Sequence, residues 1–181
     1  FKYLPRSYKN GASDPEAREG MANAATIAGI SFANAFLGIC HSMGHKLGSY
    51  HHIPHGIAVS LVLENVMKFN ACEAPTKMGT FPQYDHPVSL HRYAEAARGI
   101  GITGKNDEEI FNKFLEAIHQ LKVECDIPLT IQEFGVPEDQ FLQSLDQMSE
   151  DAFNDQCTAA NPRYPLISEI KELYLKSYYG K

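Results

Sequence analysis

From Met21 to Leu37 the chain places small or apolar side chains around almost the whole circumference of a helix, with Ile27, Ile30, Phe32 and Phe36 set among alanines. A helix apolar on most sides suits packing by neighbours on most sides. The segment therefore predicts a central element in a fold built of helices. Its start is marked by Asp14-Pro15-Glu16, with Asp as N-cap, Pro at the first helical position and Glu16 and Glu19 near the positive end of the helix dipole.

The rest of the chain carries the same grammar. Gly38 separates the first helix from a second over 39–47, which ends near Gly48, and Pro54 restarts the chain into a third over 55–69. Residues 71–87 hold three prolines and a glycine, which predicts an ordered surface excursion with no regular element. Leu90, Tyr93, Ala94 and Ala97, then Ile110, Phe114, Ile118 and Leu121, recur at helical spacing, the second set after the cap region Asn106-Asp107-Glu108-Glu109. Ile127-Pro128 breaks the pattern, 131–134 gives one turn, Pro137-Glu138-Asp139 opens a helix over 141–148, and 165–178 reads as the terminal helix. No strand series or repeat is visible. The expected fold is an all-α, multi-helix bundle of about seven to nine helices forming a single domain over residues 1–181.

Composition narrows the function classes. With 44% hydrophobic and 21% charged residues and a mean hydropathy of -0.29, the chain resembles a globular protein, and no apolar run reaches the ~18 residues of a membrane span. Sixteen Lys and Arg against twenty-two Asp and Glu, a net charge of -6 with mixed signs, argue against nucleic acid as a partner. Cys40, Cys72, Cys125 and Cys157 form no CxxC pair, which predicts a reducing cytoplasm and no disulfide scaffold. Residues 1–11 show no targeting segment, and the chain opens on Phe1 rather than Met, so a piece of a longer polypeptide is expected.

Chemistry concentrates in fifteen residues that hold five of the eight histidines: His41, His45, His51, His52 and His55. His41 and His45 stand four apart on a predicted helix, so both rings project from one face. His55 opens the next helix, where a reversal through Gly48 and Pro54 can swing it back toward His41. Neutral imidazole ligates iron or zinc readily. Two histidines are only part of a site, however: a divalent ion takes about four donors, often with a carboxylate among them, and no Asp or Glu lies near this cluster in sequence. The competing reading makes the pair ordinary surface or core histidines; His51 and His52 read as exposed loop residues. HExxH is absent, because His41-Ser42-Met43-Gly44-His45 has no glutamate. The run Gly99-Ile100-Gly101-Ile102-Thr103-Gly104 matches GxGxxG but follows a helix rather than a strand, so it reads as a helix C-cap and not as a nucleotide site. The polar segment 151–163 reads as helix-capping, and Cys157 within it as a packed thiol.

Taken together, Gly38-Ile39-Cys40-His41-Ser42-Met43-Gly44-His45-Lys46-Leu47-Gly48 and Ile53-Pro54-His55-Gly56 resemble the signature of the iron-dependent alcohol dehydrogenases, whose C-terminal domain is helical, with histidines fourteen residues apart. Residues 1–5 and 161–167 further resemble the alcohol dehydrogenase half of the bifunctional aldehyde-alcohol dehydrogenases. The resemblance implies metal ligands at His41 and His55, a proton-relaying His45 beside the nicotinamide, and a substrate and cofactor pocket that includes Phe32 and Cys157. It also implies Fe2+ or Zn2+, an NAD bound mainly by an upstream nucleotide-binding domain that supplies the remaining ligands, and reduction of a short aldehyde such as acetaldehyde to its alcohol. A homo-oligomer or filament is implied for the intact protein. Gly44 departs from the pattern, which often has Ala, and Ala159-Ala160 stands where glycine is frequent. Competing expectations are a non-catalytic helical metal-binding module, a filament-assembly module and, among enzymes, the sugar-phosphate cyclases of related fold.

Overall fold

A computed structural model describes residues 1–72, 75, 77–79 and 87–180. Nine α-helices follow one another among the described residues: α1 Leu4–Asn10, α2 Pro15–Ala35, α3 Ile39–His51, α4 His55–Asn70, α5 Ser89–Gly99, α6 Asp107–Glu124, α7 Ile131–Phe134, α8 Glu138–Phe153 and α9 Ile167–Tyr179. A single 3-10 turn, Thr158–Ala160, interrupts the passage from α8 to α9. No strand occurs among the described residues; the backbone of Met78 pairs with Arg163 in one isolated bridge. The all-α architecture is the one expected, while most of the excursion predicted over 71–87 lies outside the described residues.

Local chemistry accounts for the boundaries. Asp14 caps α2 by accepting the Ala17 N–H at 3.0 Å, and Asn106 caps α6 by accepting the Glu109 N–H at 2.8 Å. Two helices outrun their sequence estimates. One is α3, which continues to His51 and closes on His52, whose left-handed backbone sends its N–H to the Gly48 carbonyl. His51, expected in a loop, therefore sits half-buried in the last turn, with its Nε2 3.1 Å from the Ser144 hydroxyl. The other is α8, which runs to Phe153 because the apolar stripe of Phe141, Leu145 and Met148 continues to Ala152. The short helix α1 was not anticipated.

The main core lies where α3, α4, α8 and α9 meet: Ile39, Met43 and Leu47 face Val62, Phe141, Met148, Ile170 and Tyr174. Tyr178 stacks on Phe141 with ring centroids 4.2 Å apart. Two buried phenols find carbonyl acceptors, Tyr174 donating to Met43 and Tyr178 to Val136. A second layer forms where α6 meets α5 and α4, with Ala94, Ala97 and Ile110 in one cluster and Met67, Phe111 and Leu115 in another.

The expectation that α2 is central is overturned. Ala17 is its sole buried residue, and Ile27, Ile30 and Phe36 are 66%, 62% and 65% exposed. The helix is anchored at its N-terminal end, where Arg6 of α1 grips Asp14 with two hydrogen bonds of 2.9 Å and reaches Glu16 at 2.7 Å. The Tyr3 ring covers Gly20 so closely that a Cβ there would lie 2.3 Å from it. Beyond that anchor α2 projects outward. Phe36, with φ of 62° and ψ of 177°, turns the chain by 111° into α3 in a backbone region that a non-glycine residue occupies at a cost. No single helix among the described residues is long and apolar enough to cross a membrane.

Because Ile30 contacts so little, Ile30→Ser is expected to change the unfolding free energy of the 181-residue chain by less than about 0.5 kcal/mol. Ile170→Ala in the core is expected to cost about 2–5 kcal/mol. Urea unfolding of the two variants checks the contrast, and equal losses would contradict it.

Candidate functional site

The first turn of α3 is built without a side-chain cap of its own, since its N-cap is Gly38. Asn161, buried and distant in sequence, supplies the missing acceptor: its Oδ1 takes the Ile39 N–H at 3.2 Å. The Asn161 amide group donates to Asn70 Oδ1 at 2.7 Å and to the Arg163 carbonyl at 2.6 Å. A Cβ on Gly38 would lie 2.5 Å from Asn161 Oδ1, so the close approach requires glycine. Nearby, the Thr158 hydroxyl bonds the Ala152 carbonyl at 2.6 Å and the Ser42 hydroxyl at 2.8 Å. These contacts pin the segment after α8 along α3.

On the same helix, His41 and His45 project one turn apart, and the reversal through His52 and Pro54 brings His55, the first residue of α4, back to meet them. The two helices pack closely enough that a Cβ on Gly44 would lie 2.8 Å from Val59 Cγ2, which favours glycine at this position. Ring centroids stand 5.5 Å apart for His41 and His55, 5.6 Å for His45 and His55, and 6.2 Å for His41 and His45. Burial, and then the neighbouring His55 and His45, push the His41 pKa below the ordinary imidazole value. Its lone pair is thus available at neutral pH.

This geometry fits an ion. With metal–nitrogen bonds of about 2 Å, two imidazoles sharing one ion have centroids roughly 5–6 Å apart. His41 and His55 meet that condition from two different helices. Spacing alone does not separate the three rings; what sets His45 apart is its carboxylate partner.

His45 Nδ1 lies 3.1 Å from Asp155 Oδ2. The same oxygen receives Lys46 Nζ at 3.0 Å, and Asp155 Oδ1 accepts the Cys157 N–H at 3.0 Å. Burial opposes the charge on Asp155, yet the Cys157 amide, Lys46 and His45 outweigh it and hold the carboxyl well below the usual carboxylate range. Asp155 is therefore an acceptor only, and His45 Nδ1 must carry the hydrogen. Donor atoms of His45, Asp155 and Cys157 lie within 4.8 Å of one another. That trio is poorly suited to a second ion: burial, reinforced by Asp155, pushes the Cys157 thiol up to about 11, and the carboxylate is committed to Lys46.

Of the residues singled out in sequence, His41, His45, His55 and Cys157 are thus brought to one locality. Phe32 stands half-exposed on α2, one turn before the bend into α3. Asp155 and Lys46 were missed. The only sequence signal for Asp155 was its polar segment, whose capping role is borne out at Asn161. The glycine run after α5 behaves as expected, with Gly101 at φ of +90° and the Ile102 N–H bonded back to Ala97.

Residues 1–178 match the family model described as "Fe-containing alcohol dehydrogenase family, C-terminal". The chain is 54% identical to the bifunctional aldehyde-alcohol dehydrogenase of Escherichia coli K12 over 99% of its own length and 20% of that protein. It is 52% identical to the aldehyde-alcohol dehydrogenase of Clostridium acetobutylicum, over 98% of its length and 21% of that protein. The chain thus spans about a fifth of the length of these curated relatives. Among solved structures, the iron-containing alcohol dehydrogenase of Thermococcus thioreducens superposes with a TM-score of 0.79 at 34% identity, covering 99% of this chain and 41% of that one.

Gly38→Ala is expected to destabilise the fold by about 1–3 kcal/mol by forcing Asn161 off the α3 terminus. Gly29→Ala, where a Cβ meets nothing within 4 Å in a helix interior, is expected to be neutral or stabilising by up to about 1 kcal/mol. Thermal unfolding of both variants reads the difference, and a neutral Gly38→Ala would contradict the account of the cap.

Proposed function

The chain belongs to the Fe-containing alcohol dehydrogenase family, and we propose that it is the metal-binding, C-terminal domain of an enzyme that reduces a short aldehyde, such as acetaldehyde, with a nicotinamide cofactor. The observation that carries this reading is the convergence of His41, His45 and His55 from two helices at centroid distances of 5.5 to 6.2 Å.

In this reading His41 and His55 hold the ion, and further donors come from an upstream domain that also binds most of the NAD. When bound, the ion supplies a Lewis acid for the carbonyl oxygen and the nicotinamide supplies the hydride. The chain's own residues orient and protonate. His45, whose Nδ1 faces Asp155, presents Nε2 on the opposite side of the ring, where it takes up a proton and passes it to the product oxygen. Cys157 contributes a neutral, buried wall, and Phe32 contributes an apolar surface on the adjoining helix. Iron and zinc both accept this imidazole pair, with the family favouring iron. The same reading carries a cytoplasmic location, where four free thiols stay reduced.

A second reading, an assembly module, is favoured by one observation: the exposed apolar side chains of α2. Both readings coexist if the intact polypeptide is an oligomer or filament.

The test is metal content and turnover of the full-length polypeptide carrying this domain. His41→Ala and His55→Ala are each expected to lose the bound metal together with activity. His45→Ala is expected to keep the metal and lose turnover by about 10²–10⁴-fold. Metal retained in His41→Ala or His55→Ala would refute the ligand assignment, and metal lost in His45→Ala would make His45 a ligand instead.

A further inference from the structure

Asp155 has no catalytic atom to offer, being an acceptor engaged on every side, yet its position is defined with unusual completeness. Its Oδ1 is tied to the Cys157 N–H of its own turn at 3.0 Å, and its Oδ2 is shared by Lys46 Nζ at 3.0 Å and His45 Nδ1 at 3.1 Å. Its side chain is 9% exposed, while that of His45 is 34% exposed. The carboxylate is therefore a buried support and the imidazole the part that can meet solvent and substrate. The turn that carries Asp155 is itself immobilised, because Thr158 and Asn161, three and six residues on, are bonded to Ser42 and to the first amide of α3.

We infer that Asp155 is a positioning residue for proton transfer, holding His45 in the Nδ1–H form so that Nε2 alone exchanges protons at the active site. The inference rests on the proposed role of His45. Without the carboxylate a neutral imidazole distributes its hydrogen between both nitrogens and its ring turns freely about the side-chain bonds. With it, the ring is held by one bond at Nδ1, which leaves Nε2 free of the carboxylate. In aldehyde reduction the carbonyl carbon has received a hydride from the reduced nicotinamide and the oxygen needs a proton. His45 protonated at both nitrogens gives the oxygen its Nε2 proton, the N–H electron pair stays on Nε2 as a lone pair, and the ring returns to the neutral Nδ1–H form until solvent reprotonates it. Lys46 plays a separate part: it neutralises the carboxylate that the fold buries, and so lets Asp155 stay charged while the ring gains and loses its proton.

The experiment compares Asp155→Ala, Asp155→Asn and His45→Ala in the full-length, metal-loaded polypeptide, reading kcat, KM, metal content and melting temperature for each. Asp155→Ala is expected to lower kcat by about 10²–10³-fold with KM and metal content unchanged. Asp155→Asn, whose amide oxygen can still accept from Nδ1, is expected to recover at least about ten-fold of that loss. A purely structural role would instead lower the melting temperature of both variants and leave kcat per folded molecule unchanged, which overturns the inference. Loss of metal in Asp155→Ala, with activity restored by excess ion, would also overturn it, since a carboxylate that supports a ligating histidine acts through metal affinity. If His45→Ala itself retains full turnover, the reading of His45 fails; if His45→Ala is crippled while Asp155→Ala is normal, only the present inference fails.

Discussion

The arrangement of the site depends on one buried side chain, Asn161, whose four hydrogen-bonding positions are used by three separate parts of the chain. Its oxygen faces the Ile39 N–H and the Asn70 amide, and its nitrogen donates to Asn70 and to the Arg163 carbonyl. A buried amide with partners on both sides is stabilising only while all of them are present, because each group left unpaired carries its full desolvation cost. The start of α3, the end of α4 and the entry to α9 are consequently fixed relative to one another. Glycine at position 38 is the condition for this arrangement, since any side chain there would occupy the space of the Asn161 oxygen.

The second constraint is the close crossing of α3 and α4 at Gly44 and Val59. Where a glycine on one helix lets a valine of the next seat against it, the residues flanking the contact are presented at short range. His41 and His45 on one helix and His55 on the other are such residues. Three imidazoles collected in this way would repel one another if all were protonated, and burial together with the two neighbours depresses the His41 pKa. The fold thereby favours the neutral state of His41, the state in which imidazole binds a metal.

Against this tightly bonded half stands α2, whose length is set by local signals and whose surroundings are not. Its cap at Asp14, its Pro15 and its alanines are sufficient for a helix, and its anchor to α1 through Arg6 is polar. Ile27 and Ile30, 66% and 62% exposed, gain little from burial within the chain. Covering a side chain the size of Ile27 or Ile30 is worth about 1.5–3 kcal/mol, so this surface is a reservoir of association energy close to the bend that leads into the histidine helix.

The order of elements was legible in the sequence because helix starts and stops are local events. Asp14, Asn106 and Thr130 accept amides within their own first turns, and Gly101 and Gly135 supply left-handed backbone at helix ends. The pairing of His41 with His45 was legible for the same reason, since four residues make about one turn. What sequence could not decide was which apolar helix is covered, because a hydrophobic circumference states a capacity for burial and not the presence of a partner. Nor could it decide that Asp155 stands beside His45 from 110 residues away. That contact is set by the packing of α8 on α3 and by Thr158 and Asn161, which pin the turn after α8 to α3, and hydrogen bonds between distant segments leave no periodic trace in either one.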